Sequence, residues 1–127
     1  AKLCNNMLLG ISMIGTSEAF TMGPKLGLDP RTLFDIVSTA SGSCWALENH
    51  LPIAGIVDTA ASNKDFKAGF AVAMMAKDLR LAQLAARSVD AATPLGAEAA
   101  AIYTLFEEGG NRELDYSAII KFIEQGT

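Results

Sequence analysis

The first 27 residues constrain the fold most, because they form an almost unbroken apolar run that opens with a small polar cluster. Apolar side chains cover most of the circumference of a helix drawn through this stretch, which is typical of a central, buried helix. The stretch also carries small residues that let a second helix approach closely: Ser12, Gly15, Thr16, Ala19 and Gly23. The sequence therefore predicts a long central helix ending near Gly27, and its abrupt start predicts that another segment precedes it in a longer protein.

The rest of the chain predicts five shorter helices. Asp29-Pro30 and Thr93-Pro94 each combine an N-cap residue with a proline at the first helical position. Apolar spacing predicts helices over about 30–39, 44–47, 70–89 and 94–109, with a last short helix capped by Asp115. Residues 48–69 lack periodicity and predict a long irregular loop. Because no stretch shows a convincing strand pattern, we expect one all-α domain, residues 1–127, with about six helices.

Charge and cysteine content exclude several classes of function. The net charge is -4, and no Lys/Arg cluster is available to neutralise phosphates, which argues against a nucleic-acid partner. Gly10 and Ser12 interrupt the most apolar run, so we expect no membrane span. Cys4 and Cys44 show no metal-ligand spacing, and we expect no metal site and two buried, reduced thiols.

Lys2, Asn5 and Asn6 are the first candidate site, because helical spacing places them on one face. A lysine can transfer a proton to or from a hydroxyl group. An amide can hold a hydroxyl or a carboxylate as donor and acceptor. The alternative is a set of ordinary polar residues in a solvated first turn.

Lys77 and Asp78 form a second candidate site within the helix predicted over 70–89. Lys77 interrupts an apolar stripe that includes Phe70, and it either faces a ligand or extends to water. The turn 41–45, Ser-Gly-Ser-Cys-Trp, is a third candidate, with Ser43 and backbone N–H groups near a helix start. Its alternative is a capping turn with Trp45 in the core. His50 has no partner at ligand spacing and is expected to have no special task.

Four segments, in this order, resemble a known family: AKLCNNMLLGISMIGTSEAF, GLDPRTLFDIV, SGSCW and FAVAMMAKDLRLA. They are similar to the C-terminal domain of the 3-hydroxyisobutyrate dehydrogenases, which belong to the β-hydroxyacid dehydrogenase family. The resemblance covers essentially the whole chain. It implies an all-helical bundle similar to the C-terminal domain of 6-phosphogluconate dehydrogenase. The Gly-rich, dinucleotide-binding N-terminal domain of the family has no counterpart in this sequence.

The resemblance implies a role for each candidate residue. Lys2 matches the catalytic lysine, which takes a proton from the substrate hydroxyl. Asn6 and Asn5 match the asparagine that holds the substrate, and Ser43 belongs to the same pocket. Lys77 matches a lysine that contacts the cofactor from this domain.

Two further matches complete the implied site. Phe70 matches an aromatic residue near the nicotinamide. Asp78 matches an aspartate that supports the catalytic lysine.

The implied activity is NAD-dependent oxidation of 3-hydroxyisobutyrate to methylmalonate semialdehyde, a step of valine degradation within branched-chain amino-acid catabolism. The implied partners are the small 3-hydroxy acid, an N-terminal Rossmann domain of the same protein that binds most of the NAD, and further copies in a homo-oligomer. The isolated chain is then expected to be inactive. The location is expected to be the cytoplasm in a bacterium or the mitochondrial matrix in a eukaryote.

Two alternatives remain open at this point. One is a related enzyme such as tartronate semialdehyde reductase, although the apolar Cys44-Trp45 pair favours a methyl-bearing substrate. The other is a non-catalytic helical dimerisation module, in which the small residues of the first helix form the interface and the lysines are merely solvated.

Overall fold

The described part of the chain, residues 1–126 of a computed structural model, contains six α-helices, with the longest connection between the third and the fourth. Their bounds are α1 (Lys2–Lys25), α2 (Pro30–Val37), α3 (Trp45–His50), α4 (Val72–Ser88), α5 (Pro94–Phe106) and α6 (Ile120–Gln125). Two 3-10 turns, Ala61–Lys64 and Tyr116–Ile119, and one π-helical turn, Glu107–Asn111, complete the helical structure. In residues 1–126, extended pairing is limited to two isolated antiparallel bridges. The predicted all-α fold with about six helices is confirmed.

Two of the predicted helix caps form as the sequence indicates. The Asp29 carboxylate accepts a hydrogen bond from Thr32 N over 3.1 Å at the start of α2. The Asp115 carboxylate accepts one from Ser117 N over 3.1 Å before the last helical segment. Thr93 precedes α5 as predicted, but it does not cap the helix, because its hydroxyl donates to the Gln83 side chain instead.

Helix α1 lies at the centre and packs against each of the other five helices, which confirms the prediction from its apolar circumference. Gly10 faces α4 closely, since a Cβ atom added there would lie 3.1 Å from Met75 Sδ and 3.2 Å from Leu79 Cδ2. The main core contains side chains from α1, α4, α5 and the last turns, among them Met13, Met75, Leu79, Tyr103, Tyr116 and Ile119. A smaller cluster of Phe20, Leu47 and Leu51 lies beneath α2 and α3.

Helix α4 buries a different face from the stripe that contains Lys77. Lys77 is exposed, and its stripe neighbours Met74 and Leu81 are 43% and 40% exposed. The buried face of α4 includes Val72, Met75, Leu79 and Asp78. Turning this face inward leaves the ammonium group in water and so avoids the cost of burying an unpaired cation. The helix begins at Val72 rather than Phe70.

The prediction of an irregular loop over residues 48–69 is partly wrong. Helix α3 extends to His50, and residues 61–64 form a 3-10 turn. Asp65 and Phe66 then adopt positive φ angles of 53° and 60°, an uncommon pair for residues with a side chain. The expected burial of both thiols is also wrong, since Cys4 is exposed and Cys44 is only partly buried.

Candidate active site

A hydrogen bond between Asn6 and Asp78 joins α1 to α4. Asn6 Nδ2 donates to Asp78 Oδ2 over 2.7 Å, and Asp78 is only 4% exposed. Asn5 Nδ2 donates in turn to Asn6 Oδ1 over 3.2 Å. A buried carboxylate is costly without a donor, so this contact fixes how the first turn of α1 sits on α4.

Each of the two candidate lysines lies close in sequence to one partner of this hydrogen bond, Lys2 to Asn6 and Lys77 to Asp78. Lys2 precedes Asn6 by four residues, which places it one helical turn away, about 6 Å along the axis of α1. Lys77 is the neighbour of Asp78 on α4. Both lysines are exposed. Within residues 1–126 the ion pairs involve Arg80 and Arg112 with Glu107, and neither candidate lysine takes part in one.

A cavity of about 550 Å³ connects Asn5 with the turn before α3. Its walls are largely apolar, with Leu8, Leu9, Cys44, Trp45 and Ala46 beside the polar groups of Asn5 and Ser12. The packing of α3 against α1 therefore brings two sequence-predicted candidates, the asparagine pair and the Ser-Gly-Ser-Cys-Trp turn, to one concave surface.

Ser43 does not itself line this cavity. Its hydroxyl donates to Glu48 Oε2 over 3.0 Å, across the start of α3. Trp45 is 58% exposed, so the alternative that placed it in the core is wrong. The turn presents the indole at the surface because Ala46 and Leu47 occupy the buried positions of this short helix.

A series of edge-to-face aromatic contacts extends from Trp45 to Phe70. The Trp45 and His50 rings lie 4.6 Å apart, His50 and Tyr116 lie 5.4 Å apart, and Tyr116 and Phe70 lie 5.7 Å apart, measured between centroids. His50 Nδ1 also lies 2.6 Å from Tyr116 Oη. The aromatic series joins the cavity at Asn5 to the start of α4.

Burial keeps both members of the His50–Tyr116 pair neutral. Desolvation lowers the pKa of His50 below its ordinary value of 6.5, and the negative charge of Asp115 offsets only part of that change. Desolvation, together with Asp115 and Cys44, raises the pKa of Tyr116 well above its ordinary value. At neutral pH a hydrogen bond between a neutral imidazole and a neutral phenol therefore connects α3 to the 3-10 turn Tyr116–Ile119.

The Asp115 carboxylate accepts the hydrogen bonds that hold the Phe70 end of the aromatic series in place. It is 4% exposed, and its Oδ1 accepts hydrogen bonds from Gly69 N and Phe70 N, each over 3.0 Å. Its Oδ2 accepts from the backbone N and the hydroxyl of Ser117. These four donors compensate the buried charge and hold Phe70 beside Tyr116.

Residues 1–126 contain neither a metal-binding group of side chains nor a membrane-spanning helix. That part of the chain contains no group of three or more His, Cys, Asp or Glu side chains arranged to hold a metal ion. None of the helices described there combines the length and the hydropathy that crossing a bilayer requires.

Residues 1–123 match a family profile described as "NAD-binding of NADP-dependent 3-hydroxyisobutyrate dehydrogenase". The chain belongs to this family. A probable 3-hydroxyisobutyrate dehydrogenase of Mycobacterium tuberculosis H37Rv is 46% identical over 120 residues, which are 94% of this chain and 40% of that protein. The mitochondrial 3-hydroxyisobutyrate dehydrogenase of Bos taurus is 42% identical over 125 residues, 98% of this chain and 37% of that protein. The chain thus spans about two fifths of the length of these relatives.

Solved structures of family members have the same helical arrangement. The M. tuberculosis 3-hydroxyisobutyrate dehydrogenase with L-serine superimposes with a TM-score of 0.93 at 45% identity, covering 97% of this chain and 42% of that one. The Salmonella typhimurium 3-hydroxyisobutyrate dehydrogenase gives a TM-score of 0.82 at 26% identity, covering 95% and 40%. The resemblance stated from the sequence is therefore confirmed at the level of family and fold.

Sequence reasoning overlooked part of this surface. His50 is not an isolated loop residue, because it lies in α3 and contacts both Trp45 and Tyr116. Tyr116 was not singled out, and Asp115 was recognised only as a cap. Their partners are 66 and 46 positions away in the chain, so no local spacing pattern could indicate these contacts.

Proposed function

We propose that this chain, residues 1–127, is the C-terminal helical substrate and oligomerisation domain of an NAD-dependent 3-hydroxyisobutyrate dehydrogenase. It acts with a dinucleotide-binding domain of the same protein to oxidise 3-hydroxyisobutyrate to methylmalonate semialdehyde in valine degradation. The single observation that carries the proposal is the hydrogen bond from Asn6 to the buried Asp78. It holds the first turn of α1, with Lys2, against the part of α4 that carries Lys77.

Lys2 is the catalytic residue in this proposal and takes the proton from the substrate hydroxyl. Its exposure leaves the amine accessible to a ligand lying at this end of α1. Asn5 and Asn6 bind the substrate by their amide groups. Because Asp78 accepts from Asn6 Nδ2 and Asn5 donates to Asn6 Oδ1, the Asn6 side chain keeps one orientation, in which its second N–H and the second lone pair of Oδ1 remain for a ligand.

Phe70, just before α4, and Lys77, within α4, suit contacts with a nicotinamide cofactor. Phe70 offers a half-buried aromatic ring whose orientation is fixed by its contact with Tyr116 and by Asp115. Lys77 offers an exposed ammonium group without an ion-pair partner among residues 1–126, which suits a negatively charged ligand. When bound, NAD supplies the acceptor for the hydride. We propose that Phe70 and Lys77 hold it from this domain and that the N-terminal domain makes most of the remaining contacts.

The cavity between Asn5 and Trp45 favours a methyl-bearing substrate. Its walls are mainly apolar side chains, including Leu8 and Leu9, and a methyl group gains free energy by leaving water for such a surface. Ser43 contributes indirectly, because its hydrogen bond to Glu48 stabilises the turn that carries Trp45. A polyhydroxylated substrate of a tartronate semialdehyde reductase would find few polar partners there.

The chain alone should be inactive, because the proposed reaction requires the dinucleotide-binding domain as well. The experiment compares the chain, the full-length protein and its Lys2→Ala variant in a steady-state assay with 3-hydroxyisobutyrate and either NAD or NADP. We expect activity only in the full-length protein, with turnover reduced about 1,000-fold or more by Lys2→Ala. Lys25→Ala, which removes an exposed lysine at the far end of α1, should retain full activity.

Three outcomes would contradict the proposal. Turnover by the chain alone would show that no second domain is needed. Near-normal turnover by the Lys2→Ala variant would remove Lys2 from the catalytic role. Preference for tartronate semialdehyde over 3-hydroxyisobutyrate in a substrate panel would establish the sibling activity instead.

We also propose that the chain associates with copies of itself. Gly15 on α1 has open space where a Cβ atom would lie, and a groove beside it is lined by Ile11, Leu95 and Ile102. Leu95 is 67% exposed, which leaves apolar surface available for an interface. Light scattering at high concentration should show a dimer, and a monomer there would contradict the proposal.

A protein of this kind would act in the bacterial cytoplasm or the mitochondrial matrix.

A further inference from the structure

A cavity of about 570 Å³ lies at the far end of the aromatic series, between the 3-10 turn of residues 61–64 and the approach to α4. Its lining includes the aromatic rings of His50 and Phe70, the backbone at Gly69, and two lysines, Lys64 and Lys67. The lining thus combines aromatic rings with two cations and the carboxylate of Asp115, on a chain whose net charge is -4.

The two lysines place two positive charges at this cavity. Both are exposed, and neither forms an ion pair within residues 1–126. Asp115 is the carboxylate in the lining, but its two oxygens already accept four hydrogen bonds from Gly69, Phe70 and Ser117. These four donors stabilise the carboxylate in the lining, where its single negative charge faces the two positive charges of the lysines. With two lysines and one carboxylate the lining carries a net positive charge, and such a surface attracts anions.

The backbone between the lysines is held in an uncommon conformation. Asp65 and Phe66 both have positive φ, which costs free energy for residues with a Cβ atom. The strained segment is fixed by hydrogen bonds from Phe66 N to Ala61 O, over 2.9 Å, and from Asp115 N to Phe66 O, over 2.8 Å. Reversing the chain here brings Lys64 and Lys67 to the same cavity, although they are three residues apart in irregular structure.

His50 adds a directional group to the wall. Its Nδ1 lies 2.6 Å from Tyr116 Oη, and the imidazole tautomer decides which of the two atoms donates. When the phenol donates to Nδ1, the neutral ring carries its hydrogen on Nε2 and can donate it. The cavity then offers two ammonium groups and an imidazole donor beside an aromatic face.

We propose that this cavity binds a small anion, a phosphate or a carboxylate, through Lys64 and Lys67. The inference rests on the proposed function through Phe70, which lines the cavity and is also proposed to contact the cofactor, but anion binding itself requires no turnover. The shared chemistry fits either the phosphate of a nucleotide or the carboxylate of a small hydroxy acid. Failure of anion binding would leave the roles of Lys2 and Asn6 unaffected.

The test is an NMR titration of the full chain, following the backbone amides of Lys67, Gly69 and Phe70. One arm uses inorganic phosphate, and the other uses 3-hydroxyisobutyrate with its uncharged methyl ester as the matched control. We expect saturable shifts at these amides with at least one anion, none with the ester, and weaker binding as salt is added. Saturation with phosphate alone would identify a phosphate site, and saturation with the hydroxy acid alone would identify a carboxylate site.

Two charge-matched variants decide whether the lysines are responsible. The Lys64→Gln/Lys67→Gln variant should bind at least about tenfold more weakly, because the cavity loses both cations. The Lys25→Gln/Arg87→Gln variant loses the same net charge at exposed positions outside the cavity and should bind like the wild type. Absence of saturable shifts in the wild type, or equal affinity in both double variants, would overturn the proposal. All four positions are exposed, so we expect both variants to fold, and their spectra report this directly.

Discussion

Asn6 Nδ2 lies 2.7 Å from Asp78 Oδ2, so the first turn of α1 is tied to the buried face of α4 across 72 positions of sequence. The contact satisfies the one carboxylate that α4 buries. It also sets the relative position of the two segments that carry the proposed catalytic and cofactor-binding lysines.

Removing the Asp78 carboxylate should destabilise the chain. Asp78→Ala leaves the Asn6 amide without its partner and should lower the free energy of unfolding by about 1–3 kcal/mol, measured by urea denaturation with circular dichroism. Asp58→Ala removes an exposed carboxylate and should change the value by less than about 0.5 kcal/mol. Equal effects from the two substitutions would show that the Asn6–Asp78 contact contributes nothing specific.

Glycine 10 should tolerate a larger side chain poorly. In Gly10→Val the new atoms meet Met75 and Leu79, which are completely buried and have little room to move, so a loss of about 1–3 kcal/mol is expected. Gly15→Val places the same side chain on the same helix where no atom lies within 4 Å of the added Cβ. At a chain concentration low enough to keep the proposed dimer dissociated, the midpoint of thermal unfolding should fall for the first variant and stay nearly constant for the second. A similar fall in both would mean that helix propensity, rather than contact with α4, determines the effect.

Acid should weaken the His50–Tyr116 contact. The folded pKa of His50 lies below its ordinary value of 6.5, so the unfolded chain binds a proton more readily than the folded one between these two pKa values. Stability from the neutral imidazole is present above pH 6.5 and is lost as the pH falls below that value. The free energy of unfolding, measured between about pH 7.5 and pH 5, should therefore decline more steeply for the wild type than for His50→Gln. Parallel curves would show that His50 titrates alike in both states.

Lys77 should affect the affinity for cofactor more than turnover in the full-length protein. Lys77→Gln removes a cation that the rest of residues 1–126 does not neutralise, and we expect the KM for NAD to rise about tenfold with a smaller change in kcat. The matched control is Lys25→Gln, which should leave both constants unchanged. A fall in kcat without any change in KM would instead place Lys77 in the chemical step.

Much of the helix pattern could be read from sequence because it depends on local chemistry. The Asp29-Pro30 and Asp115 caps lie next to the helices they start, and the apolar circumference of α1 is a property of one segment. Local periodicity predicted an end of α3 at residue 47, although the helix extends to His50, and it singled out the stripe of α4 that is exposed in the structure. Both stripes of α4 contain apolar residues, and only packing against α1 and α5 decides which one is buried.

By itself the sequence determined the number and order of the helices, the family, and the residue types available for proton transfer and for holding a ligand. The tertiary structure alone decided which of them meet: Asn6 with Asp78, Trp45 with His50, and His50 with Tyr116. The physical reason is that a helix periodicity repeats within a few residues. Contacts across 66 or 72 positions depend on how the helices pack, and that packing is set by the whole core together.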